Sequence, residues 1–199
     1  MGRPRAFDTD AAVAAARDVF WARGYAATSV DDLTAAMGLG RASLYHAFGD
    51  KHALFLRALD RYGSERMSDL RRGLTSTPTA RAAIANVLRG TVDGLWSDRA
   101  RRGCLLVNAT TELAAVDPAV AMRAGEAFER IAAEFRSALE SGQHTGEIKA
   151  DLDVRAAGRY LAHTLNGLRL LAKTTDRSAA DEVVELTLTL VDLDWMVHN

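Results

Sequence analysis

Five side chains between Arg41 and His46 have the chemistry needed to contact DNA. Arg41 can donate two hydrogen bonds to the O6 and N7 atoms of guanine, and Ala42 can pack on a thymine methyl group. Ser43 can both donate and accept a hydrogen bond, while Tyr45 and His46 can reach phosphate oxygens. The segment is therefore a candidate surface for reading base edges in a duplex.

A short helix must present these side chains, and the apolar residues beside them define its orientation. Leu44 and Phe48 are four residues apart, so a helix over residues 40–47 turns both inward and leaves the polar side chains outside. Gly38 follows a predicted helix over residues 29–36, where a C-terminal cap needs positive φ. Helix, tight turn and helix make a helix-turn-helix unit, whose second helix can enter the major groove. A short packed helix without a nucleic-acid role fits the same spacing, and this alternative stays open.

Polar residues that can cap a helix precede five of the predicted helices. Each can accept a backbone N–H, and two of them have the spacing of a capping box with the shorter acid. The candidates are Asp50, Asp117 and Asp153, with the pairs Thr28–Asp31 and Ser178–Asp181. Beyond Asp50, the first N–H groups of the next helix and Lys51 form an anion site suited to a phosphate.

Helical spacing of apolar residues extends over the whole chain, so we predict an all-α fold of nine helices. Three short helices come first and longer ones follow Asp50, which divides the chain into a head, residues 1–50, and a body, residues 51–199. The predicted helices cover residues 9–24, 29–36, 40–47, 51–72, 79–98, 103–115, 118–141, 153–173 and 179–197. The connection over residues 142–153 is the one sizeable irregular segment predicted in the body.

Composition limits the possible environments of the chain. It has 199 residues with 48% hydrophobic residues and a net charge of −1, and no apolar run is long enough to span a membrane. Arginine is far commoner than lysine, which we attribute to codon bias and not to arginine chemistry. The charge is +2 up to Arg72 and −3 beyond it, the sign expected of a DNA-reading head on an acidic body. One cysteine and no secretory signal predict a cytoplasmic protein.

Catalytic and cofactor motifs are missing from the sequence. Gly38 and Gly40 resemble the start of a dinucleotide-binding loop, but position 43 is Ser and no strand precedes the turn. There is no zinc-protease motif, Cys-His cluster or phosphate loop, and one cysteine cannot build a metal site. Glu112 and Asp117 lie five apart across a helix end, which does not support paired acid–base chemistry. We therefore predict no cofactor, no metal and no enzymatic activity.

Twelve positions between residues 9 and 55 form one recognisable pattern: Phe20, Gly24, Tyr25, Thr28, Ser29, Val30, Leu33, Gly38, Leu44, Tyr45, Phe48 and Lys51. With these residues in register, the segment resembles the DNA-binding head of the TetR family of bacterial regulators. The resemblance implies a homodimeric repressor whose two heads read a palindromic double-stranded operator, and whose body releases DNA on binding an unknown small-molecule effector. It also implies DNA contacts by Thr28, Ser29 and Lys51, in addition to the exposed residues of the reading helix.

Two positions depart from the family pattern. Gly40 stands where the family often has Ser or another capping residue, and Ala47 replaces what is often a larger polar or aromatic side chain. Both changes weaken the anchoring of the reading helix to the DNA backbone. Arg3 and Arg5 in the N-terminal arm could compensate by entering an adjacent minor groove.

The segment "RRGCLLVN" resembles the sixth-helix region of one TetR subgroup, and the resemblance places an effector pocket among helices five to eight. The candidate lining residues are Trp96, Cys104, Asn108, Thr111, Phe128, Tyr160, His163 and Asn166. Core packing competes with ligand contact for the aromatic candidates and His163, whereas Asn108 and Asn166 lie mid-helix among apolar residues and need polar partners.

Cys104 has two possible roles. Arg101, Arg102 and the dipole of the following helix could favour its thiolate, and the subgroup includes sensors of reactive electrophiles. A small buried packing residue is the alternative, because free cysteine is among the most buried residue types.

The last two helices are predicted to form the dimer interface, since each has an apolar stripe that could complete a four-helix bundle across a twofold axis. The predicted interface residues are Leu161, Leu165, Leu168, Val183, Leu186 and Leu190. A helical protein-interaction module with a vestigial head remains the alternative function.

Overall fold

Nine helices run in chain order through residues 7–191, the part of the chain that this computed structural model describes. They are α1 (Thr9–Arg23), α2 (Val30–Met37), α3 (Arg41–Phe48), α4 (Lys51–Leu74), α5 (Ala80–Ser97), α6 (Leu105–Leu113), α7 (Pro118–Thr145), α8 (Val154–Leu171) and α9 (Arg177–Val191). The described residues contain no strand, which confirms the all-α prediction. None of these helices combines the length and apolarity needed to cross a membrane.

Side-chain caps define most helix starts. Asp50, Asp117 and Asp153 accept backbone N–H groups at the starts of α4, α7 and α8, as predicted. The Ser178–Asp181 prediction is wrong, because α9 begins earlier and the Asp176 carboxylate accepts the N–H of Ala179 at 2.9 Å. Helix α7 also continues four residues beyond its predicted end, to Thr145, so the irregular connection before α8 is shorter than expected.

A first apolar core joins the head to the body. Phe20, Leu33 and Leu44, from the first three helices, are fully buried in one cluster with Leu54 and Phe55 of α4. The same cluster includes residues of α6 and α7, namely Leu105, Leu106, Val107, Ala109, Val120, Ala124 and Ala127. Burying each large apolar side chain contributes about 1.5–3 kcal/mol, so this shared core ties the head firmly to the body. The division after residue 50 stays a prediction, because the packing is continuous across it.

A second core forms the far half of the body. It is built from the C-terminal part of α4 with α5, α7, α8 and α9, and Leu88, Phe135 and Leu165 are fully buried in it. Helices α7 and α8 pack closely at Gly158, where a Cβ atom would lie 2.7 Å from the carbonyl oxygen of Ala132. Only glycine allows this separation, since real Cβ atoms do not come so near to a backbone oxygen.

Candidate nucleic-acid interface

The turn between α2 and α3 follows from local hydrogen bonding. Helix α2 ends at Gly38 with φ 64° and ψ 30°, and the N–H of Leu39 donates to the carbonyl of Thr34 at 3.0 Å. The Gly38 N–H donates to the carbonyl of Ala35, which completes a Schellman motif. A Cβ at Gly38 would meet nothing within 4 Å, so glycine is favoured here by its φ angle and not by lack of space.

The start of α2 differs from the prediction by one residue. Ser29 is the N-cap, with its Oγ accepting the Asp32 N–H at 3.1 Å, and the Asp32 carboxylate accepts the Ser29 N–H at 2.9 Å. The predicted pair Thr28–Asp31 is wrong, because Thr28 is 1% exposed and its hydroxyl donates to the Gly24 carbonyl at 2.6 Å. Thr28 is therefore also wrong as a DNA contact, whereas Ser29 is exposed and stays a prediction.

Helix α3 has one buried face and one exposed face. Leu44 and Phe48 are buried in the first core, as their spacing predicted. The five residues proposed to contact DNA lie on the exposed side, and they are Arg41, Ala42, Ser43, Tyr45 and His46. Gly40 is the N-cap of α3 and provides no side-chain hydrogen bond, and the weaker anchoring to DNA expected at this position stays a prediction.

Arg41 is held in position by a neighbour on α2. Its Nε donates to Asp31 Oδ1 at 2.8 Å and its Nη2 donates to Asp31 Oδ2 at 2.6 Å. This bidentate hydrogen bonding, with the positive charge, lowers the pKa of Asp31 and raises that of Arg41. Both side chains are exposed, and exposed ion pairs are weak, so a guanine edge can replace the carboxylate.

Lys51, the predicted phosphate contact, begins α4 beside the head. Its Nζ lies 4.3 Å from the centre of the Tyr25 ring, a cation–π contact that fixes the ammonium group near the N-terminus of α4. Asp50 caps the same helix by accepting the Ala53 N–H at 2.7 Å. Burial, followed by the charges of Asp50 and Asp117, raises the pKa of Tyr25. Arg3 and Arg5, the predicted minor-groove contacts, lie outside the described residues.

Two contacts that hold the head and the start of α4 against α6 and α7 were not predicted from the sequence. The Glu112 carboxylate on α6 accepts the backbone N–H groups of Tyr25 at 3.0 Å and Ala26 at 2.8 Å, in the loop between α1 and α2. His52 Nε2 lies 2.6 Å from Oδ2 of Asp117 at the start of α7, and this hydrogen bond lowers the pKa of Asp117. No spacing rule connects partners that are more than sixty residues apart, so the sequence alone carries no signal for either contact.

A cavity of about 580 Å³ lies in the body between α4, α5, the α5–α6 connection and α8. Of the eight predicted effector contacts, only Cys104 lines it. This cavity does not lie among α5 to α8 alone, as predicted for the effector pocket. Helix α4 forms one of its walls, and Trp21 of α1 reaches it.

The other seven candidates have structural surroundings that explain their positions. The Asn108 amide donates to the Arg102 carbonyl at 2.8 Å and its oxygen accepts from Lys173 Nζ at 3.0 Å, so its polar groups are satisfied within the chain. Thr111 donates to the Asn108 carbonyl at 2.9 Å. Trp96 and Phe128 pack against a core, and Tyr160 and His163 are exposed. The Asn166 amide oxygen accepts a hydrogen bond from Arg169.

Cys104 is buried as the N-cap residue of α6. The two arginines expected to favour its thiolate have other partners. Arg101 donates to the carbonyl oxygens of Ala172 and, at 3.0 Å, Thr175, while Arg102 Nε donates to Asp98 at 3.1 Å. Burial alone would raise the pKa of Asp98, but hydrogen bonds from Arg102 and Ala100 bring it below its usual value.

Half of the predicted dimer interface is buried inside the chain itself. Leu161, Leu165 and Leu168 of α8 lie in the second core, so they are wrong as interface residues. Their stripe faces α5 and α7, which need it to complete the core. The α9 residues Val183, Leu186 and Leu190 are 45%, 60% and 38% exposed, and they stay a prediction.

Comparison with known proteins gives matches to both parts of the chain. The signature described as "Bacterial regulatory proteins, tetR family" matches residues 12–58, and that described as "Tetracyclin repressor-like, C-terminal domain" matches residues 80–187. The chain is 31% identical over 176 residues to the HTH-type transcriptional repressor ComR of Escherichia coli K12, covering 86% of this chain and 82% of ComR. It is 29% identical over 194 residues to the uncharacterized HTH-type transcriptional regulator YezE of Bacillus subtilis 168, covering 96% and 100% of the two chains.

Among solved structures, the chain is similar to a cysteine mutant of the TetR family transcriptional regulator CifR, complexed with 26-bp double-strand operator DNA. The identity is 37% and the TM-score 0.83, and the similarity covers 94% of this chain and 98% of the CifR chain. The reduced form of Escherichia coli NemR superposes with a TM-score of 0.80 at 20% identity, which shows a shared fold.

Proposed function

Because this chain belongs to the TetR family of bacterial regulatory proteins, we propose that it is a homodimeric, ligand-responsive repressor that reads a palindromic operator. The observation that carries this function is the exposed face of α3, where five adjacent polar or small side chains stand outward on a helix whose other face is buried. A helix-turn-helix places such a face in the major groove. Its site of action is then the bacterial cytoplasm, as the sequence predicts.

Base reading is assigned to Arg41, Ala42 and Ser43, at the N-terminal end of α3. Arg41 presents Nε and Nη2 to the Asp31 carboxylate in the free protein, and a guanine edge would take the place of that carboxylate. Tyr45 and His46 are assigned to phosphates beside the groove, and Lys51 with the start of α4 to a further phosphate. Arg3 and Arg5 are assigned to an adjacent minor groove.

The two heads need a fixed separation. Adjacent half-sites on one DNA face lie about 34–36 Å apart, so the body must hold two copies of α3 at that spacing or a multiple of it. The apolar side chains exposed on α9 supply a self-complementary surface for a twofold contact. The residues assigned to this contact are Val183, Leu186 and Leu190. The three buried leucines of α8 are not assigned to it.

Release of DNA requires that an effector favour a different spacing of the heads. Helix α4 runs from the head into the body, and Glu112 links α6 to the loop that precedes α2. A ligand in the body that displaces either helix would therefore move the reading helices. The ligand must bind the displaced state more tightly by a coupling free energy of about 1–3 kcal/mol.

We also propose that the body belongs to the TetR subgroup that shares the "RGCLLVN" segment. The position of Cys104 at the start of α6, beside the cavity, supports a common architecture. Its burial favours a packing role over a sensor role. Replacing Cys104 with Ser and measuring operator release by small electrophiles distinguishes the two, since unchanged release removes the sensor hypothesis.

Selection of genomic fragments by the purified full-length protein tests the proposed function. We expect enrichment of a palindromic sequence, bound with an affinity at least about a thousandfold above that for random DNA at the same salt concentration. Deletion of residues 2–6 should weaken this binding and flatten its salt dependence. A helical protein-interaction module with a vestigial head would instead enrich no sequence, and that result would overturn the proposal.

A further inference from the structure

The cavity between α4, α5 and α8 has a definite charge and shape. Its volume of about 580 Å³ lies within the range of sites for small organic ligands, and its α5 side is open to solvent at Asn86, Gly90, Gly94 and Ser97. We propose that it binds a small organic monocarboxylate, whose carboxylate group pairs with Arg169 and whose apolar part lies against Trp21 and the α4 and α5 walls. The inference rests on the proposed function, and it names the chemical class of the effector.

The charged residues of the lining leave one positive charge unbalanced. Arg66 Nη2 lies 2.7 Å from Oδ2 of Asp69, and Arg102 Nε lies 3.1 Å from Oδ2 of Asp98, so these two pairs neutralise themselves. Arg169 is the third arginine of the lining, and among residues 7–191 its recorded partner is the Asn166 amide oxygen at 3.4 Å. A half-buried guanidinium with such a weak partner favours a ligand that brings one negative charge.

Two uncharged donor side chains, Tyr62 and Trp21, belong to the lining, beside Asn86, Thr91 and Ser97, which can also accept hydrogen bonds. Burial, with the neighbouring Cys104 thiol, raises the pKa of Tyr62, so its phenol stays protonated. The indole N–H of Trp21 is buried, and no acceptor is present for it in the described part of the chain. The half-buried Arg169 guanidinium is therefore the donor that suits the acceptor-only chemistry of a carboxylate, and it disfavours an amine.

The size of the apolar wall limits the rest of the ligand. Leu70, Val87 and Leu95 line the cavity beside Gly90 and Gly94 of α5, and a Cβ at either glycine would meet nothing within 4 Å. Glycine weakens a helix interior, so its use at two positions one turn apart costs stability, but it widens the space on this side of α5. The ligand class that fits is a carboxylate with an apolar chain or ring.

Such a ligand would contact the DNA-binding head directly. Trp21 belongs to α1, its ring lies 4.1 Å from the guanidinium carbon of Arg102, and it packs edge-on against Tyr62 at 5.1 Å between centroids. A carboxylate that reorients Arg102 or Tyr62 therefore changes the packing of the first head helix. This gives the ligand a short physical connection to the reading surface.

Isothermal titration calorimetry on the full-length protein tests the ligand class. The probes are benzoate, phenylacetate, hexanoate and octanoate, each paired with its primary amide. We expect at least one acid to bind with a Kd below about 1 mM. The Kd of its amide should be at least about tenfold higher. Failure of every acid to bind, or equal binding of acid and amide, would overturn the proposal.

Variants locate the site. Arg169→Gln should weaken acid binding about tenfold or more and leave amide binding unchanged, since it removes charge and keeps most of the side-chain length. The matched control is Arg130→Gln, because Arg130 lines a separate groove between α4 and α7 and has no recorded ion pair among residues 7–191. Gly94→Leu should fill the cavity and remove binding of both probe types. Wild-type acid affinity in Arg169→Gln and in Gly94→Leu would contradict the assignment.

Operator binding by the same samples separates this inference from the proposed function. Acids that bind through Arg169 but do not release operator DNA would support the ligand site and contradict regulated release. A wild-type protein that binds no operator would contradict the proposed function, whatever the calorimetry shows.

Discussion

Glu112 on α6 is the single side chain whose removal best tests how the head is held on the body. Its carboxylate accepts two backbone N–H groups, from Tyr25 at 3.0 Å and Ala26 at 2.8 Å. The same carboxylate lies so close to Gly24 that a Cβ there would be 2.9 Å from Oε2. Loop and carboxylate therefore fit each other closely, and Glu112→Ala removes an anchor that no nearby side chain replaces in the described residues.

The expected cost follows from the two hydrogen bonds. A hydrogen bond to a charged group contributes about 1.5–3 kcal/mol when it is protected, but water can solvate these exposed N–H groups once the carboxylate is gone. We therefore expect Glu112→Ala to lower the free energy of unfolding by about 1–2 kcal/mol in total. For a chain of this size that corresponds to a fall in Tm of about 2–8 °C. Glu112→Gln keeps one acceptor oxygen and should lose about half as much.

Thermal unfolding followed by circular dichroism measures this cost, and fluorescence anisotropy with operator DNA shows its effect on function. The control is Glu126→Ala, because Glu126 is an exposed glutamate of α7 without a recorded ion pair or hydrogen bond among residues 7–191. We expect the largest loss of Tm for Glu112→Ala, a smaller loss for Glu112→Gln and the smallest for Glu126→Ala. Glu112→Ala should also bind the operator more weakly. Equal Tm values for Glu112→Ala and Glu126→Ala would refute the role given to this contact.

Three further results are expected. Gly38→Ala should lower the free energy of unfolding by about 1 kcal/mol because of the positive φ at this position. Gly158→Ala should lower it by about 2 kcal/mol or more, because its Cβ would meet the Ala132 carbonyl. If chemical denaturation gave the larger loss for Gly38→Ala, that result would contradict this packing. The pKa of Asp117 is lower in the folded than in the unfolded protein, so its hydrogen bond with His52 stabilises the fold above about pH 4. This contribution is lost as the pH falls through the folded pKa. His52→Phe should therefore make the loss of Tm between about pH 5 and pH 3 shallower, and an unchanged slope would exclude the His52 contact as its cause. Leu186→Glu should give a folded monomer in sedimentation velocity, because this side chain is 60% exposed on α9, whereas a stable dimer would place the interface elsewhere.

Much of the fold could be predicted because its signals are local. Gly38 needs only its own φ angle to mark the end of α2, and Asp50, Asp117 and Asp153 need only the next few N–H groups to begin a helix. The exposed face of α3 follows in the same way from the spacing of Leu44 and Phe48. Where two capping residues are adjacent, local rules are less decisive. Thr28 is buried against Gly24, and that tertiary contact leaves Ser29 to cap α2.

The effector site and the dimer interface depend on contacts between helices, which periodicity does not determine. The stripe of Leu161, Leu165 and Leu168 has the same pattern whether it meets a partner subunit or the chain's own α5 and α7. Likewise, the mid-helix position of Asn108 does not reveal that its amide is satisfied within the chain by Arg102 and Lys173. Trp21 was missed as a cavity residue because nothing in the sequence relates α1 to the cavity in the body.

The outward face of α3 is the centre of the proposed function, and one comparison tests it most directly. The affinity of Arg41→Ala for the selected operator is measured beside its affinity for random DNA of equal length, at one salt concentration. We expect the operator affinity to fall about tenfold or more while random binding changes little, because Arg41 is assigned to a base and not to the DNA backbone. A ratio of operator to random affinity equal to that of the wild-type protein would contradict the reading of DNA by α3.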